Sequence, residues 1–205
     1  MEPVDVALVL AIDVSASVDF DEFALMVGGL GTAFLNPDVI AAATGGPRRA
    51  AAVSALFWSD GQELAVPWHR VAAVEDGARI AEALEGAPRL PRPGATALGE
   101  GLVAALALLA RCPASATRLI VDVSGDGASN RGRPPGPIRD VGVAGGAIIN
   151  GLAVVNEEAD LVEHYRAEVI GGPGSFVMEC ADYTDFAEAI ARKLVRELRG
   201  AEGIV

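Results

Sequence analysis

The sequence has 205 residues, of which 51% are hydrophobic and 21% are charged, and its formal net charge is −12. This length and composition predict one globular domain with a sizeable core and exclude wholesale disorder. The chain has 28 acidic residues against 16 basic ones and no run of Lys or Arg. These features argue against a nucleic-acid binder and against adhesion to an anionic membrane surface. A bound divalent cation would suit such an acidic protein.

The predicted strands lie at 4–12, 50–58, 62–68, 118–123, 147–155 and 175–179. Most of them are nearly continuous apolar runs, as expected for strands that are buried on both faces. Asn150 and Gly151 interrupt the fifth run. Asp60-Gly61 is a hairpin turn signal, so we expect the second and third strands to form a β-hairpin with the third strand antiparallel.

Helical patterns alternate with these strands, at 20–34, 74–84, 96–110, 156–168 and 182–198. Asp19 and Glu22 form a capping pattern at the start of the first helix. The alternation of strand and helix predicts an α/β fold with a mostly parallel sheet and helices on both faces. Since there is no internal repeat and no long linker, we predict a single domain over residues 1–205.

The sequence offers no transmembrane helix, because the longest apolar candidate, 101–110, has only ten residues and about 20 are needed. The first residues have neither the basic nor the apolar region of a signal peptide, so the sequence as given contains none. Because the first strand begins almost at once, a leader that has been removed is the open alternative. Cys112 and Cys180 are the only cysteines. A single disulfide and a pair of buried free thiols are equally compatible with this count.

Oxygen-bearing side chains follow two of the buried strands and precede the third helix. Asp13, Ser15 and Ser17 form the pattern D-x-S-x-S directly after the first strand, Thr96 opens the third helix, and Asp126 follows the fourth strand. We expect these three segments to meet at one edge of the parallel sheet. Hydroxyl and carboxylate oxygens are the ligands that hard cations such as Mg²⁺ prefer.

Each of these residues also has a simpler interpretation when it is taken alone. Ser15 or Ser17 could cap the first helix, and Thr96 could cap the third. Asp13 and Asp126 could be ordinary turn residues. The joint pattern favours the metal site over these separate interpretations.

The set of motifs resembles the von Willebrand factor type A domain with its metal-ion-dependent adhesion site, in which D-x-S-x-S, a distant Thr and a distant Asp occur in this order. The stretches 122–133 and 171–179 resemble a bacterial branch of uncharacterised proteins with this fold. The resemblance covers nearly the whole chain. It implies a doubly wound, Rossmann-like sheet of six strands in the order 3-2-1-4-5-6, with strand 3 antiparallel.

The resemblance also implies a function. Asp13, Ser15, Ser17, Thr96 and Asp126 would hold Mg²⁺, or Mn²⁺ or Ca²⁺, and a partner protein would complete the coordination with an Asp or Glu. Charge counting adds that, when the partner arrives, Thr96 would move toward the ion while Asp126 withdraws. Members of the bacterial branch usually carry an export signal, which implies an exported or periplasmic protein, although a cytoplasmic location stays open.

Residues around the proposed site form a candidate ligand rim. Asp60 follows the second strand and belongs at the same edge, although its hairpin turn also explains it. Asn130 and Arg131 begin a Gly/Pro-rich stretch after Asp126. Arg131, together with Arg133 and Arg139, could attract a carboxylate beside the ion, and a solvated loop is the favoured alternative.

The alternative function is a metal-assisted hydrolase or phosphotransferase that uses the same oxygen ligands. Haloacid dehalogenase-like phosphatases need a second Asp where this chain has Ser15, and the only lysine, Lys193, lies in the last predicted helix. The sequence has no nucleophile elbow and no nucleotide-binding motif. We expect His69 at the opposite edge of the sheet and His164 in mid-helix facing solvent. We therefore predict no catalytic residues and a protein that is not an enzyme.

Overall fold

The computed structural model describes residues 1–199, and one six-stranded sheet lies at its centre. The strands are β1 (Val4–Asp13), β2 (Ala51–Trp58), β3 (Gln62–Val71), β4 (Ala116–Gly125), β5 (Ala147–Val154) and β6 (Val177–Cys180). Their order across the sheet is β3-β2-β1-β4-β5-β6. β3 pairs antiparallel with β2, and the other neighbouring strands pair in parallel. The predicted fold class, strand order and antiparallel third strand are confirmed.

Helices flank both faces of this sheet. In the described residues they are α1 (Phe20–Leu35), α2 (Pro37–Ala43), α3 (Val74–Glu85), α4 (Leu98–Leu109), α5 (Pro135–Ala144), α6 (Leu161–His164) and α7 (Phe186–Arg199), with a π-helical turn at Tyr165–Val169. The predicted capping pattern starts α1, because Asp19 accepts from the backbone N–H of Glu22 and Glu22 accepts from that of Asp19.

Several predicted helix bounds are wrong. No pattern in the sequence predicted α2 or α5, whose first residues are Pro37 and Pro135. Proline fits the first helical turn because its missing N–H needs no partner there. The helix predicted at 156–168 is a loop followed by α6 and the π-helical turn. Thr96 lies two residues before α4, so it does not cap that helix.

Successive side chains of β1 point to opposite faces of the sheet and belong to two hydrophobic cores, one on each face. Leu8 and Leu10 pack with α1, α2, α3 and α7 on one face. Ala7 and Val9 pack with α4, α5 and α6 on the other. The sheet is therefore covered on both faces, which explains the continuous apolar runs of its strands.

A buried charged network ties α7 to β4 and β5. Lys193 Nζ lies 2.6 Å from Asp122 Oδ1 and 2.6 Å from Glu197 Oε1, and none of the three side chains is more than 1% exposed. Asn150 donates to Glu197 Oε1 at 2.9 Å and accepts from the backbone N–H of Phe176 at 3.1 Å. Burial, followed by the charge of Asp122, raises the pKa of Glu197 to about 8. Asn150, which interrupts an apolar strand in the sequence, is thus a polar anchor.

The two cysteines are free thiols. Cys180 belongs to the core on the α1 and α7 side, whereas Cys112 packs against the core on the α4 side, so the sheet lies between them. Within residues 1–199, no single helix is long and apolar enough to cross a membrane. α1 and α2 together reach that length and apolar composition, but the chain bends by 66° at their junction.

Candidate functional site

The candidate metal site lies where β1 and β4 end side by side. Asp13 is the last residue of β1, and Asp126 directly follows the last residue of β4. These two strands are parallel neighbours, so their carboxyl ends share one edge of the sheet. The segment before α4 reaches the same edge, because Gly94 O accepts from the backbone N–H of Ala16 at 2.9 Å.

Hydrogen bonds join all five predicted ligands into one cluster. Asp13 Oδ1 accepts from the backbone N–H of Ser15 at 2.8 Å. Ser15 Oγ lies 3.1 Å from Ser17 Oγ, and Ser17 Oγ donates to Asp126 Oδ1 at 2.7 Å. Thr96 Oγ1 donates to Ser15 Oγ at 3.4 Å. The structure therefore brings the five residues together, and their role as metal ligands stays a prediction. Since Asp19 is the N-cap of α1, neither serine caps that helix.

The two carboxylates of the cluster are buried, with 0% of Asp13 and 1% of Asp126 exposed. Among residues 1–199, the Oδ2 atom of each has no hydrogen-bond partner. Burial, followed by the negative charge of Asp126, raises the pKa of Asp13 to about 8. Burial also raises the pKa of Asp126. A divalent cation fits this donor set, because it would favour the ionised form of both groups and use their unpartnered oxygens.

The donor set consists mainly of hydroxyls. No group of three or more His, Cys, Asp or Glu side chains in the described part of the chain is arranged to hold a metal ion. With three hydroxyls and two carboxylates, the cluster suits a hard, oxygen-preferring cation rather than a thiolate- or imidazole-bound one.

Arg89, which the sequence analysis did not single out, fastens the loop after β1. Its guanidinium donates to the backbone carbonyls of Val18 and Ser15, and it lies 5.3 Å from the ring centroid of Phe23. These contacts hold both ends of the segment that carries Ser15 and Ser17. No local sequence pattern pointed to Arg89, because it lies 74 residues from Ser15.

Two tyrosines, also absent from the sequence-based site, approach the carboxylates from below. A Cβ on Gly125 would lie 2.9 Å from Asp13 Oδ2 and 2.9 Å from the Tyr165 hydroxyl, so both atoms border the space that Gly125 leaves open. The Tyr183 hydroxyl interacts with Asp126 and opposes the rise that burial causes in the pKa of that carboxyl. Both tyrosines are buried.

The predicted rim residues have different surroundings. Asp60 is exposed and lies against Gly94, since a Cβ added to Gly94 would be 2.4 Å from Asp60 Oδ1. Asn130 Oδ1 accepts from the backbone N–H of Thr96 at 3.0 Å, and its Nδ2 lies 3.5 Å from Thr96 Oγ1. Arg131 is exposed and lines an open groove of about 540 Å³ beside the site. Asn130 therefore contacts the candidate ligand Thr96, whereas Arg131 faces solvent.

The other two arginines of this stretch are paired with carboxylates of the protein itself. Arg133 Nε pairs with Glu100 Oε1 at 3.2 Å. Arg139 Nε pairs with Asp140 Oδ1 at 2.8 Å and lies in α5. Both guanidinium groups are therefore held by their own neighbours; Arg133 lines the groove beside the site together with Arg131, and Arg139 does not line it.

The histidines differ in how well they were predicted. His69 pairs with Val53 in the first half of β2, at the edge of the sheet opposite the site, as expected. His164 was expected to face solvent, but it is half-buried, and its Nε2 accepts from the backbone N–H of Ser129 at 3.4 Å. It lines the groove beside the site from the last position of α6.

Solved structures share this fold at low identity. A von Willebrand factor type A protein from Catenulispora acidiphila is 18% identical, with a TM-score of 0.65 over 96% of this chain and 43% of that one. Mussel byssus proximal thread matrix protein 1 with a zinc-occupied MIDAS motif is 14% identical, with a TM-score of 0.63 over 96% and 48%. The pilus adhesin SpaC from Lactobacillus rhamnosus GG is 15% identical, with a TM-score of 0.67 over 97% and 31%.

These likenesses show the von Willebrand factor type A fold, and this chain spans less than half the length of each of these proteins. No curated protein matches the chain. A protein-family model described as "Protein of unknown function (DUF1194)" matches residues 3–202, which is nearly the whole sequence. The chain therefore belongs to the DUF1194 family.

Proposed function

We propose that this protein is a metal-dependent binding module. Asp13, Ser15, Ser17, Thr96 and Asp126 would hold a divalent cation, and a partner protein would present an Asp or Glu carboxylate to it. The observation that carries the proposal is the pair of buried carboxylates in a cluster of three hydroxyls, each with one oxygen that lacks a partner among the described residues. Two carboxylates balance the charge of one divalent cation, which supports such an ion at this place.

Mg²⁺ is the ion that we propose. The cluster offers only oxygen donors, and most of them are neutral hydroxyls, which suits a small hard cation. Mn²⁺ and Ca²⁺ accept the same donors, so their affinities belong in the same experiment. The zinc in the MIDAS motif of the mussel protein supports a divalent metal in a site of this fold.

A partner carboxylate would be the third negative group at the site, after Asp13 and Asp126. Thr96 adds no charge, so it can approach without repulsion, whereas Asp126 is repelled by the newcomer. We therefore propose that partner binding draws Thr96 inward and moves Asp126 away. Because Asn130 is bonded to Thr96 at both its backbone and its side chain, the loop of Asn130 would move with Thr96.

Binding is favoured over metal-assisted hydrolysis. The compared structures include an adhesin and a thread matrix protein, and these descriptions support an interaction role. They also support a location outside the cytoplasm, since a pilus and a byssus thread are extracellular. We further propose that the module is one domain, because one sheet and its two cores engage all the strands.

Calorimetry tests the metal site directly. Wild-type protein is titrated with Mg²⁺, Mn²⁺ and Ca²⁺ and is expected to bind one ion per chain. Asp13→Ala is expected to abolish binding. Asp38→Ala is the matched control, because Asp38 is an exposed carboxylate in the first turn of α2 and belongs to another part of the surface. Binding by Asp13→Ala at the wild-type affinity would refute the site.

Partner capture tests the binding role. Immobilised wild-type protein is incubated with extract of the native organism in Mg²⁺ and then eluted with a chelator. The proposal expects proteins that elute only with chelator and that Asp13→Ala does not retain. For a captured partner, substitution of its contacting Asp or Glu by Ala must abolish capture. Capture that survives both chelator and Asp13→Ala would contradict a metal-dependent interface.

A further inference from the structure

The chain has only two tyrosines, and both are buried beneath the candidate metal site. Tyr165 is 0% exposed and lies in the π-helical turn, within the core on the α4 side of the sheet. Tyr183 is 3% exposed and lies between β6 and α7, within the core on the opposite side. It stacks on Phe186 with ring centroids 6.2 Å apart. The two phenols thus reach the same edge of the sheet from its two faces.

Neither phenol hydroxyl has a hydrogen-bond partner in residues 1–199. A buried hydroxyl without a partner is unfavourable, so each calls for an explanation at its place in the structure. Tyr165 OH and Asp13 Oδ2 border the same space beside Gly125. Tyr183 OH is close enough to Asp126 to oppose the rise in the pKa of that carboxyl. The unpartnered hydroxyl of Tyr165 therefore borders the unpartnered Oδ2 atom of Asp13, and the unpartnered hydroxyl of Tyr183 belongs to the surroundings of Asp126, whose Oδ2 atom also lacks a partner.

We propose that Tyr165 and Tyr183 are positioning residues of this metal site: when the ion is bound, the phenol of Tyr165 donates to Asp13 Oδ2 and that of Tyr183 donates to Asp126 Oδ2. This inference rests on the proposed function, because it assigns a role toward the same ion. Each donated bond fixes the orientation of a carboxylate and leaves its other oxygen in its present contact, with the Ser15 backbone N–H for Asp13 and with the Ser17 hydroxyl for Asp126. Hydrogen-bond partners of ligating carboxylates commonly control metal affinity in this way.

The chemistry of the phenol suits this task. Burial is the main cause that raises the pKa of both tyrosines, and the charges of Asp13 and Asp126 add to it, so both phenols stay protonated donors. A neutral donor holds a carboxylate without competing with the cation for its charge, as a Lys or Arg would do. The site thereby keeps two negative charges for one divalent ion.

The sheet also makes room for one of these rings. A Cβ on Gly151 of β5 would lie 2.5 Å from Tyr165 Cδ1, so only glycine at this position lets the ring pass over the strand. If the ring at position 165 served packing alone, a smaller apolar side chain could take its place. Position 151 of the strand could then carry a residue with a Cβ. The close approach instead carries the hydroxyl to the space beside Gly125.

The test removes one oxygen at a time. Tyr165→Phe and Tyr183→Phe keep both rings, and each is expected to raise the Kd for Mg²⁺ about ten-fold or more, as for other hydrogen-bond partners of metal ligands. In chelator, both variants should unfold at or above the wild-type temperature, since an unpartnered buried hydroxyl is removed. Ser54→Ala is the control, because its buried hydroxyl donates to Val66 O inside the β2–β3 hairpin. It should lower stability and leave the Kd unchanged.

A second readout uses the wild-type sequence. Protein labelled with 3-fluorotyrosine should give two ¹⁹F resonances, assigned with the Phe variants. Both should shift during Mg²⁺ titration with the calorimetric Kd. If wild type binds Mg²⁺ but both Phe variants bind within two-fold of it and neither resonance moves, the tyrosine roles are wrong and the metal site stands. If wild type binds no divalent ion, the proposed function fails first and the tyrosine roles fail with it.

Discussion

Ser17 Oγ donates a 2.7 Å hydrogen bond to Asp126 Oδ1 and so joins the loop after β1 to the loop after β4, 109 residues apart. Burial raises the pKa of Asp126, and this bond opposes that rise. A hydroxyl that donates to a buried carboxylate favours its ionised form, which is the form that binds a cation. Ser17 thus has two roles in the candidate metal site, as a candidate ligand and as a hydrogen-bond donor to a second candidate ligand.

Substitution of Ser17 by Ala is expected to weaken Mg²⁺ binding at least ten-fold, in line with the loss of a contact to a metal-ligating carboxylate. Calorimetry at neutral pH measures the change. Ser129→Ala is the matched control, since Ser129 lies on the same loop as Asp126 but its hydroxyl makes only a 3.5 Å contact to Thr96 O. Equal affinity in the Ser17 variant and the control would contradict the joint role of the hydroxyl.

Metal affinity should depend on pH through Asp13. Its pKa is raised from 3.8 to about 8 in the folded protein, by burial first and then by the charge of Asp126. Between about pH 4 and pH 8, Asp13 is therefore protonated in the folded protein and ionised in the unfolded chain. Without metal, stability therefore falls as pH rises from about 4 to about 8. Metal binding displaces the proton, so apparent affinity should rise about ten-fold per pH unit and level off above about pH 8.

Titrations at several pH values, in buffers of different ionisation enthalpy, measure both the affinity and the protons released. Asp13→Asn keeps the shape of the side chain but cannot ionise. It should lose both the metal response and this part of the pH dependence of stability, and it should be more stable than wild type in chelator near pH 8. An Mg²⁺ affinity that is flat between pH 6 and pH 8 would show that Asp13 is not the group that titrates.

Arg89 should matter for the loop rather than for the ion itself. Its guanidinium holds the carbonyls of Ser15 and Val18, and Arg89→Ala removes these charge-assisted contacts. We expect a loss of about 2 kcal/mol in the free energy of unfolding, measured with denaturant. Arg92→Ala is the control, because Arg92 is an exposed residue of the same segment. Equal losses in the two variants would mean that the contacts of Arg89 with Ser15 O and Val18 O do not stabilise the fold.

The buried network around Lys193 gives a separate prediction about stability. Lys193→Met would leave Asp122 and Glu197 buried without their cation. A buried pair that loses one partner typically destabilises a protein by about 3–5 kcal/mol, and we expect a loss of that size. Arg192→Met, at an exposed position of the same helix, should change stability little. Retention of wild-type stability by Lys193→Met would mean that the network is neutral at working pH.

Much of this architecture could be predicted from the sequence. Continuous apolar runs that alternate with helical patterns specify a parallel sheet covered on both faces. Asp13 and Asp126 each follow such a run, and the neighbouring positions of β1 and β4 bring them to one edge. The hydrogen bond between the Ala16 N–H and Gly94 O then holds the segment of Thr96 beside these two residues.

The supports of the site could not be predicted in this way. Tyr165 reaches Gly125 because a π-helical turn follows α6 and Gly151 admits the ring, and neither feature has a periodic pattern. Arg89 belongs to a Gly/Pro-rich segment whose path is set by tertiary contacts. The partner of Arg133 was equally hidden, because the nearby carboxylate of Glu100 lies 33 residues away in the sequence.

Lys193 is the only lysine of the chain, and its side chain is 0% exposed. In the folded protein its amine is therefore shielded from acylating reagents, and it also lies 2.6 Å from both Asp122 Oδ1 and Glu197 Oε1. Acylation of Lys193 requires α7 to leave β4, so a lysine reagent counts the opening events of this part of the fold.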